Sequence, residues 1–196
     1  MSVVLDIDLD YFRFLDEPLK RLNELLAWAD RPVDSVFRNH HEALAFWTKA
    51  VKDGIIGAPH FILHADEHHD MLSGRPLINA GNFLYFAMRR WPECRVHWLV
   101  DWPIDSPKQW LPEDKWRAVT RGFTSGERLR PSWPTPDMVT VCTSPGFISK
   151  ASRERLLRTC RKWSEVGSSR PGLRGRRTTP QEGSNPKLLA TYLDKK

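Results

Sequence analysis

The chain has 196 residues, 40% hydrophobic content, nine tryptophans and a formal net charge of +6. That length buries a core without disulfides or a structural metal, and no apolar run approaches the roughly 20 residues that span a bilayer. A globular protein is therefore expected, and a membrane protein is not.

Strand periodicity opens the chain, with Val3, Leu5, Ile7 and Leu9 alternating with Val4, Asp6, Asp8 and Asp10 over a strand placed at Ser2 to Leu9. Leu19, Leu22, Leu25, Leu26 and Ala29 then recur at helical spacing from Pro18 to Ala29, with Asp16 and Pro18 suited to the start. Asn39 with Glu42 three residues on reads as a capping box, which puts His40 in the first turn of a helix running through Leu44, Trp47 and Val51. After Gly54 and Gly57 comes the strand Phe61 to His64, followed directly by Ala65-Asp66-Glu67-His68-His69-Asp70. In an extended stretch His64, Asp66, His68 and Asp70 would share one face. A helix is predicted from Ala80 to Arg90, a buried strand from Arg95 to Val100 with Asp101 at its end, and a strand from Asp137 to Cys142. The Trp- and Pro-rich stretch from Trp102 to Pro136 resists assignment apart from a helix at Glu113 to Arg121, and a last helix is placed at Ser149 to Trp163.

Strands alternating with helices imply a mainly parallel sheet, whose ligands bind beyond the carboxyl ends of the strands. Those ends carry Asp8 and Asp10, Asp66 to Asp70, Asp101, and Thr143 with Ser144. One domain, residues 1–163, is expected. Residues 164–196 hold seven Lys or Arg against three acids, so +4 of the charge sits in a Gly-, Ser- and Pro-rich tail that is too polar to bury a core. A solvated, disordered tail is the expectation, and nucleic acid is not the expected partner. Met1 leads straight into a strand with no basic or apolar leader, so the expected location is cytoplasmic. Cys94, Cys142 and Cys160 form no Cys-x-x-Cys pair and read as buried free thiols.

The chemistry lies in the carboxylates and imidazoles. Three like charges on one strand face repel and call for a cation. Asp8, Asp10, His40, Asp66, His68 and Asp70 are more ligands than one ion needs, so two ions are expected. Carboxylate excess without thiolate tilts the choice to manganese over iron or zinc. A cation pair acidifies a shared water and faces it to an electrophilic carbon or phosphorus, which makes hydrolysis the implied reaction class.

Asp66-x-His68-x-Asp70 resembles the Asp-x-His-x-Asp signature of the arginase and agmatinase (ureohydrolase) superfamily. Leu5 to Phe12, His40-His41-Glu42-Ala43-Leu44, His64 to Met71, Asn82-Phe83-Leu84 and Val139-Thr140-Val141 together resemble the UPF0489 family, whose bacterial members include peptide arginases. The resemblance covers about residues 2–160. It implies a three-layer arginase-like fold, with a permuted strand order because the Asp-x-Asp strand here comes first. It makes His40 a ligand of one ion and His68 of the other, Asp66 a bridge and Asp70 a ligand of the first. Two aspartates of the opening strand complete the shells, either Asp6 and Asp8 or Asp8 and Asp10 with Asp6 hydrogen-bonded behind them; the second pairing is preferred. It also implies a substrate, an arginine guanidinium, free or within a peptide, converted to ornithine and urea.

His64 and Glu67 are candidates for proton transfer or guanidinium contact by proximity, and Asn82 for a substrate contact. Leu84 stands where the family pattern would place a proton-shuttling histidine. Two alternatives follow: a metallohydrolase of the same fold with another substrate, and an inactive binding protein.

Overall fold

Alternation across each strand sorts the apolar residues into two layers, one on either side of a single sheet. The computed structural model describes residues 1–72, 77–101 and 106–169, with the backbone alone for 165–169. Its strands are β1 (Ser2–Asp8), β2 (Ser35–Phe37), β3 (Pro59–Ala65), β4 (Arg95–Leu99), β5 (Phe123–Gly126) and β6 (Met138–Cys142). They pair in the order β2-β6-β1-β3-β4-β5, every pair parallel. The helices are α1 (Pro18–Ala29), α2 (His40–Lys52), α3 (Phe83–Arg90), α4 (Pro107–Trp110), α5 (Glu113–Val119) and α6 (Lys150–Ser169). The expected α/β architecture with three layers is present.

One layer joins Val4, Ile62, Val96 and Met138 of the sheet to Trp47 of α2 and Phe83 and Ala87 of α3. The other joins Leu5, Ile7, Leu63, Ala65, Val139 and Val141 to Leu22, Leu25 and Leu26 of α1 and Leu156 of α6. Val4 and Leu5, Ile62 and Leu63, and Met138 and Val139 are adjacent residues in opposite layers, the period-two geometry of a strand covered on both faces.

The chain leaves β1 through α1 toward β2 on one side, then returns through α2 to β3 on the other. Strand order therefore reverses beside β1, and at such a point the loops part to leave a crevice beyond the carboxyl ends. At the mouth of that crevice α2 begins. The Asn39 amide donates to Glu42 Oε1 at 3.1 Å, closing the expected capping box and fixing His40, fully buried, at the first helical position.

Several expectations need adjustment. β2 and β5 were not foreseen: β2 has three residues, and Phe123-Thr124-Ser125-Gly126 carries no alternation of apolar and polar side chains. α4 sits in the stretch that resisted assignment. The helix expected from Ala80 begins as a 3-10 turn, Ala80–Asn82, because the Asn79 and Asn82 side chains cap each other's backbone, and α3 proper starts at Phe83. α6 runs to Ser169 rather than stopping at Trp163, since extending a formed helix adds one hydrogen bond per residue fixed. The first residues of the expected tail are thus helical. Residues 170–196, with Arg170, Arg174, Arg176 and Arg177, lie outside the described residues. Among the described residues no helix is long and apolar enough to cross a membrane.

Candidate metal centre

The face of the sheet that α2 covers changes character along one row. Asp6 pairs in register with His64 of β3 and with Thr140 of β6, so three adjacent strands present polar side chains at the same level. One row further on, Asp8 lies opposite Cys142. The row is bonded across its width. Thr140 Oγ1 donates to Asp6 Oδ1 at 2.8 Å, Asp6 Oδ2 faces His64 Nδ1 at 3.0 Å, and Trp47 Nε1 of α2 donates to Thr140 Oγ1 at 3.3 Å.

Beyond the strand ends the geometry departs from the extended stretch expected from the sequence. β3 stops at Ala65, and β1 stops at Asp8, with Asp10 in a 3-10 turn over Leu9–Phe12. Asx turns replace the alternation: Asp66 Oδ1 accepts from the His68 amide at 2.7 Å and Asp8 Oδ1 from the Asp10 amide at 3.0 Å, the local competition with the backbone that Asp characteristically offers. Asp70 adopts φ 47° and Ser144 φ 31°, left-handed conformations that cost a non-glycine residue energy and gather at functional sites. The turns therefore bring the ligands together, where a straight strand would have spread them along one line.

Three groups of donor atoms result, each within 4.8 Å: His40, His64, Asp66 and Asp70; Asp10, Asp66 and His68; and Asp8, His40 and Cys142. Asp66 joins the first two. Its Oδ2 lies 3.2 Å from both His40 Nδ1 and His64 Nε2, and its Oδ1 lies 3.6 Å from His68 Nδ1. His40 Nδ1 is 2.8 Å from Asp70 Oδ2 and 3.4 Å from Asp8 Oδ2, while His68 Nδ1 is 3.3 Å from Asp10 Oδ2. Asp6 stands outside all three groups, behind His64 and His40. These buried groups of histidine and aspartate stand at ligand distance and can hold a metal ion.

Charge supports the same conclusion. Asp6, Asp8, Asp10, Asp66 and Asp70 are all buried, and among the described residues their ion-pair partners are His40, His64 and His68, never Lys or Arg. Five carboxylates, when all are ionised, outnumber three protonated imidazoles, and buried charge requires compensation, whether by protons or by a cation. Asp10 Oδ1 and His40 Nε2 are also shut off from solvent without a hydrogen-bond partner, an arrangement that folded proteins avoid unless something else meets the atom.

Proton affinities shift accordingly. Burial pushes Asp8 up to about 6, against the pull of His40. Burial and the Asp66 charge push Asp10 to about 8 and Asp70 to about 7. Burial opposes charge on His64, yet hydrogen bonds to Asp6 and Asp66 lift it to about 10. His40, also opposed by burial, is held well above the usual imidazole range by Asp6 and Asp8. Hydrogen bonds to Asp10 and Asp66 raise His68 to about 11. Asp66 alone goes down, well below the carboxylate range, as His40, His64 and His68 outweigh its burial. A cation binding here displaces protons, so its affinity rises with pH.

The remaining candidates fall in different places. His64 is fully buried inside the first group, behind Asp66 and away from solvent. Glu67 is half-buried, with Oε2 shielded and unbonded. Asn82 is fully buried in its turn, accepting from the Asn79 amide at 2.7 Å and donating to the Leu77 carbonyl at 3.1 Å. Only His68 opens outward, its side chain 44% exposed and its ring 5.2 Å from that of Phe147. A separate cleft of about 520 Å³ lies by the ends of β4 and β5, lined by His97 and residues 125–131; the clustered ligands do not line it.

Sequence reasoning placed Ser144 at a strand end, where its hydroxyl donates to Asp8 Oδ2, but gave no part in the site to Thr140 or Cys142. Their signal was present: Met138, Thr140 and Cys142 alternate with Val139 and Val141, so whichever face β6 turns to β1's aspartates carries the polar set. Comparison with known protein families, with curated proteins and with solved structures finds no match to this chain.

Proposed function

We propose that the chain is a binuclear metal-dependent hydrolase that converts the guanidinium of arginine, free or within a peptide, to ornithine and urea, with manganese as the metal. One observation carries the reading: Asp66 turns one carboxylate oxygen to the His40 and His64 group and the other to the Asp10 and His68 group, the disposition of a ligand shared by two cations. Two bound cations would supply Lewis acidity and a water acidified toward neutrality. The motif resemblance supplies the substrate class. So does charge, because a phosphate ester needs Lys or Arg at the metals, whereas the described ion pairs of this cluster involve acids and histidines alone; Arg75 lies outside the described residues.

The chain's own residues divide the work. Asp8, Asp10, Asp66 and Asp70 with His40 and His68 hold the ions, Asp6 orients His64 and His40 from behind, and the crevice opens at His68. There a planar cation finds the Phe147 ring beside His68. Glu67, beside the opening in sequence, contributes a carboxylate for guanidinium contact.

Leu84 favours a second reading, an inactive binding protein. It occupies the position where the family pattern would set a shuttle histidine, and it is buried in the layer under α2 and α3. The experiment measures manganese, iron and zinc per chain and ornithine release from arginine and arginine-containing peptides, in wild type and in an Asp66→Ala, His68→Ala double variant. Two ions and ornithine, both lost in the variant, are expected. Metal without ornithine would leave another substrate or the binding role, and no stoichiometric metal would sink the hydrolase.

A further inference from the structure

The three cysteines are all buried, but they do not share an environment. Cys94 packs within the layer under α2 and α3, and Cys160 within the layer under α1 and α6. Cys142 belongs to neither. It ends β6 directly opposite Asp8, with Sγ 3.5 Å from the Arg38 carbonyl and 3.4 Å from Ser144 Oγ. Its neighbours are thus polar, and its sulfur falls within 4.8 Å of donor atoms of Asp8 and His40. The His40 ring is buried, with Nδ1 3.4 Å from Asp8 Oδ2, and its Nε2, 3.4 Å from Asp6 Oδ2, makes no hydrogen bond.

We propose that Cys142, with Asp8 and His40, forms a cation position of softer character than the carboxylate-rich remainder of the cluster, the sulfur binding as thiolate. The proposal rests on the reading of the cluster as a metal centre. On binding, the thiol proton leaves to solvent and a sulfur to metal bond forms, with no change of oxidation state. Thiolate, imidazole and carboxylate together suit zinc, cobalt(II) or iron(II) better than manganese. The centre is then asymmetric: Asp10, Asp66 and His68 make a position of hard donors near the crevice mouth, and the sulfur lies on the far side, under the start of α2. Ser144 serves this arrangement by holding Asp8 Oδ2 from the loop that follows Cys142.

The probe is cobalt(II) alone, titrated into the full chain after chelation and thiol reduction. Wild type is expected to show ligand-field bands in the visible together with a sulfur-to-cobalt charge-transfer band in the near ultraviolet. Cys142→Ser should lose the near-ultraviolet band and keep the visible ones, while Cys94→Ala and Cys160→Ala keep both. A cadmium-113 resonance of wild type shifted downfield by sulfur serves as a measurement that needs no variant. Visible bands without charge transfer, and a cadmium resonance in the range of oxygen and nitrogen donors, would overturn the proposal and leave the metal centre intact. Failure of cobalt to bind at all would overturn both.

Discussion

The two faces of the sheet are built from the same strands and diverge halfway along them. On the side of α1 and α6, Leu5 and Ile7, Leu63 and Ala65, Val139 and Val141 stay apolar to the strand ends. On the side of α2 and α3, Val4, Ile62 and Met138 give way in a single step to Asp6, His64 and Thr140, then to Asp8 and Cys142. One face is committed to cohesion throughout. The other spends half its length on cohesion and the rest on holding charge, and the site exists because the change occurs at the same level on three neighbouring strands.

That contrast can be broken most severely at Asp66. Asp66→Ala is expected to abolish stoichiometric metal binding, read by elemental analysis, and to cost about 3–5 kcal/mol in denaturant unfolding, because three histidines lose a buried partner. Leu63→Ala, on the opposite face and one residue from His64, should cost about 2–5 kcal/mol yet leave metal per folded chain unchanged. Equal metal loss in both variants would show that the faces are not separable.

Thr140→Val probes the border between the two regimes. Losing the bond to Asp6 should weaken metal affinity by about 10–100-fold and cost about 1 kcal/mol of stability; unchanged affinity would remove Thr140 from the site.

The gentlest effect is graded with pH. The folded metal-free chain retains protons on Asp8, Asp10 and Asp70 that the unfolded chain releases near pH 4, so these groups lower stability as pH rises from about 4 to about 8. His64 and His68, raised to about 10 and 11, stabilise the fold fully below their unfolded value near 6.5, and that contribution is lost as pH climbs to their folded values. Thermal unfolding in chelator should thus show a midpoint falling from pH 5 to pH 9, with added manganese flattening the fall. A flat metal-free profile would mean that the polar face carries no electrostatic load.

Much of the fold was legible because long elements repeat a period. α1 was placed from Pro18 to Ala29 by its leucines, and β1, β3, β4 and β6 by their apolar runs. β2 and β5 escaped because three or four residues with little apolar alternation carry no such signal; the neighbours that define them, β6 and β4, come from elsewhere in the chain. The aspartates and histidines that gather in the cluster were readable as residue types. Their assembly was not, since Asx turns and two left-handed residues set it, and the sequence at 66–70 reads equally well as a strand. Cys142 illustrates the remaining gap. A thiol is apolar or a ligand according to what lies across from it, and Asp8 lies 134 positions earlier.

The place of β6 has a consequence in time. Among the described residues it is the last strand, yet it lies between β1 and β2, and β2 has no other strand partner there. Until residues 138–142 are available, β1 presents an open edge, and Asp6 and Asp8 lack Thr140 and Ser144. A chain emerging from the ribosome therefore carries one edge of its acid-rich strand bare through most of synthesis, even with β3 on the other edge, with the hazards of association that an open parallel edge brings. Insertion of β6 closes the sheet and sets Thr140 against Asp6 and Cys142 opposite Asp8 in one event, so the polar face is completed only as the chain's long-range contacts are made.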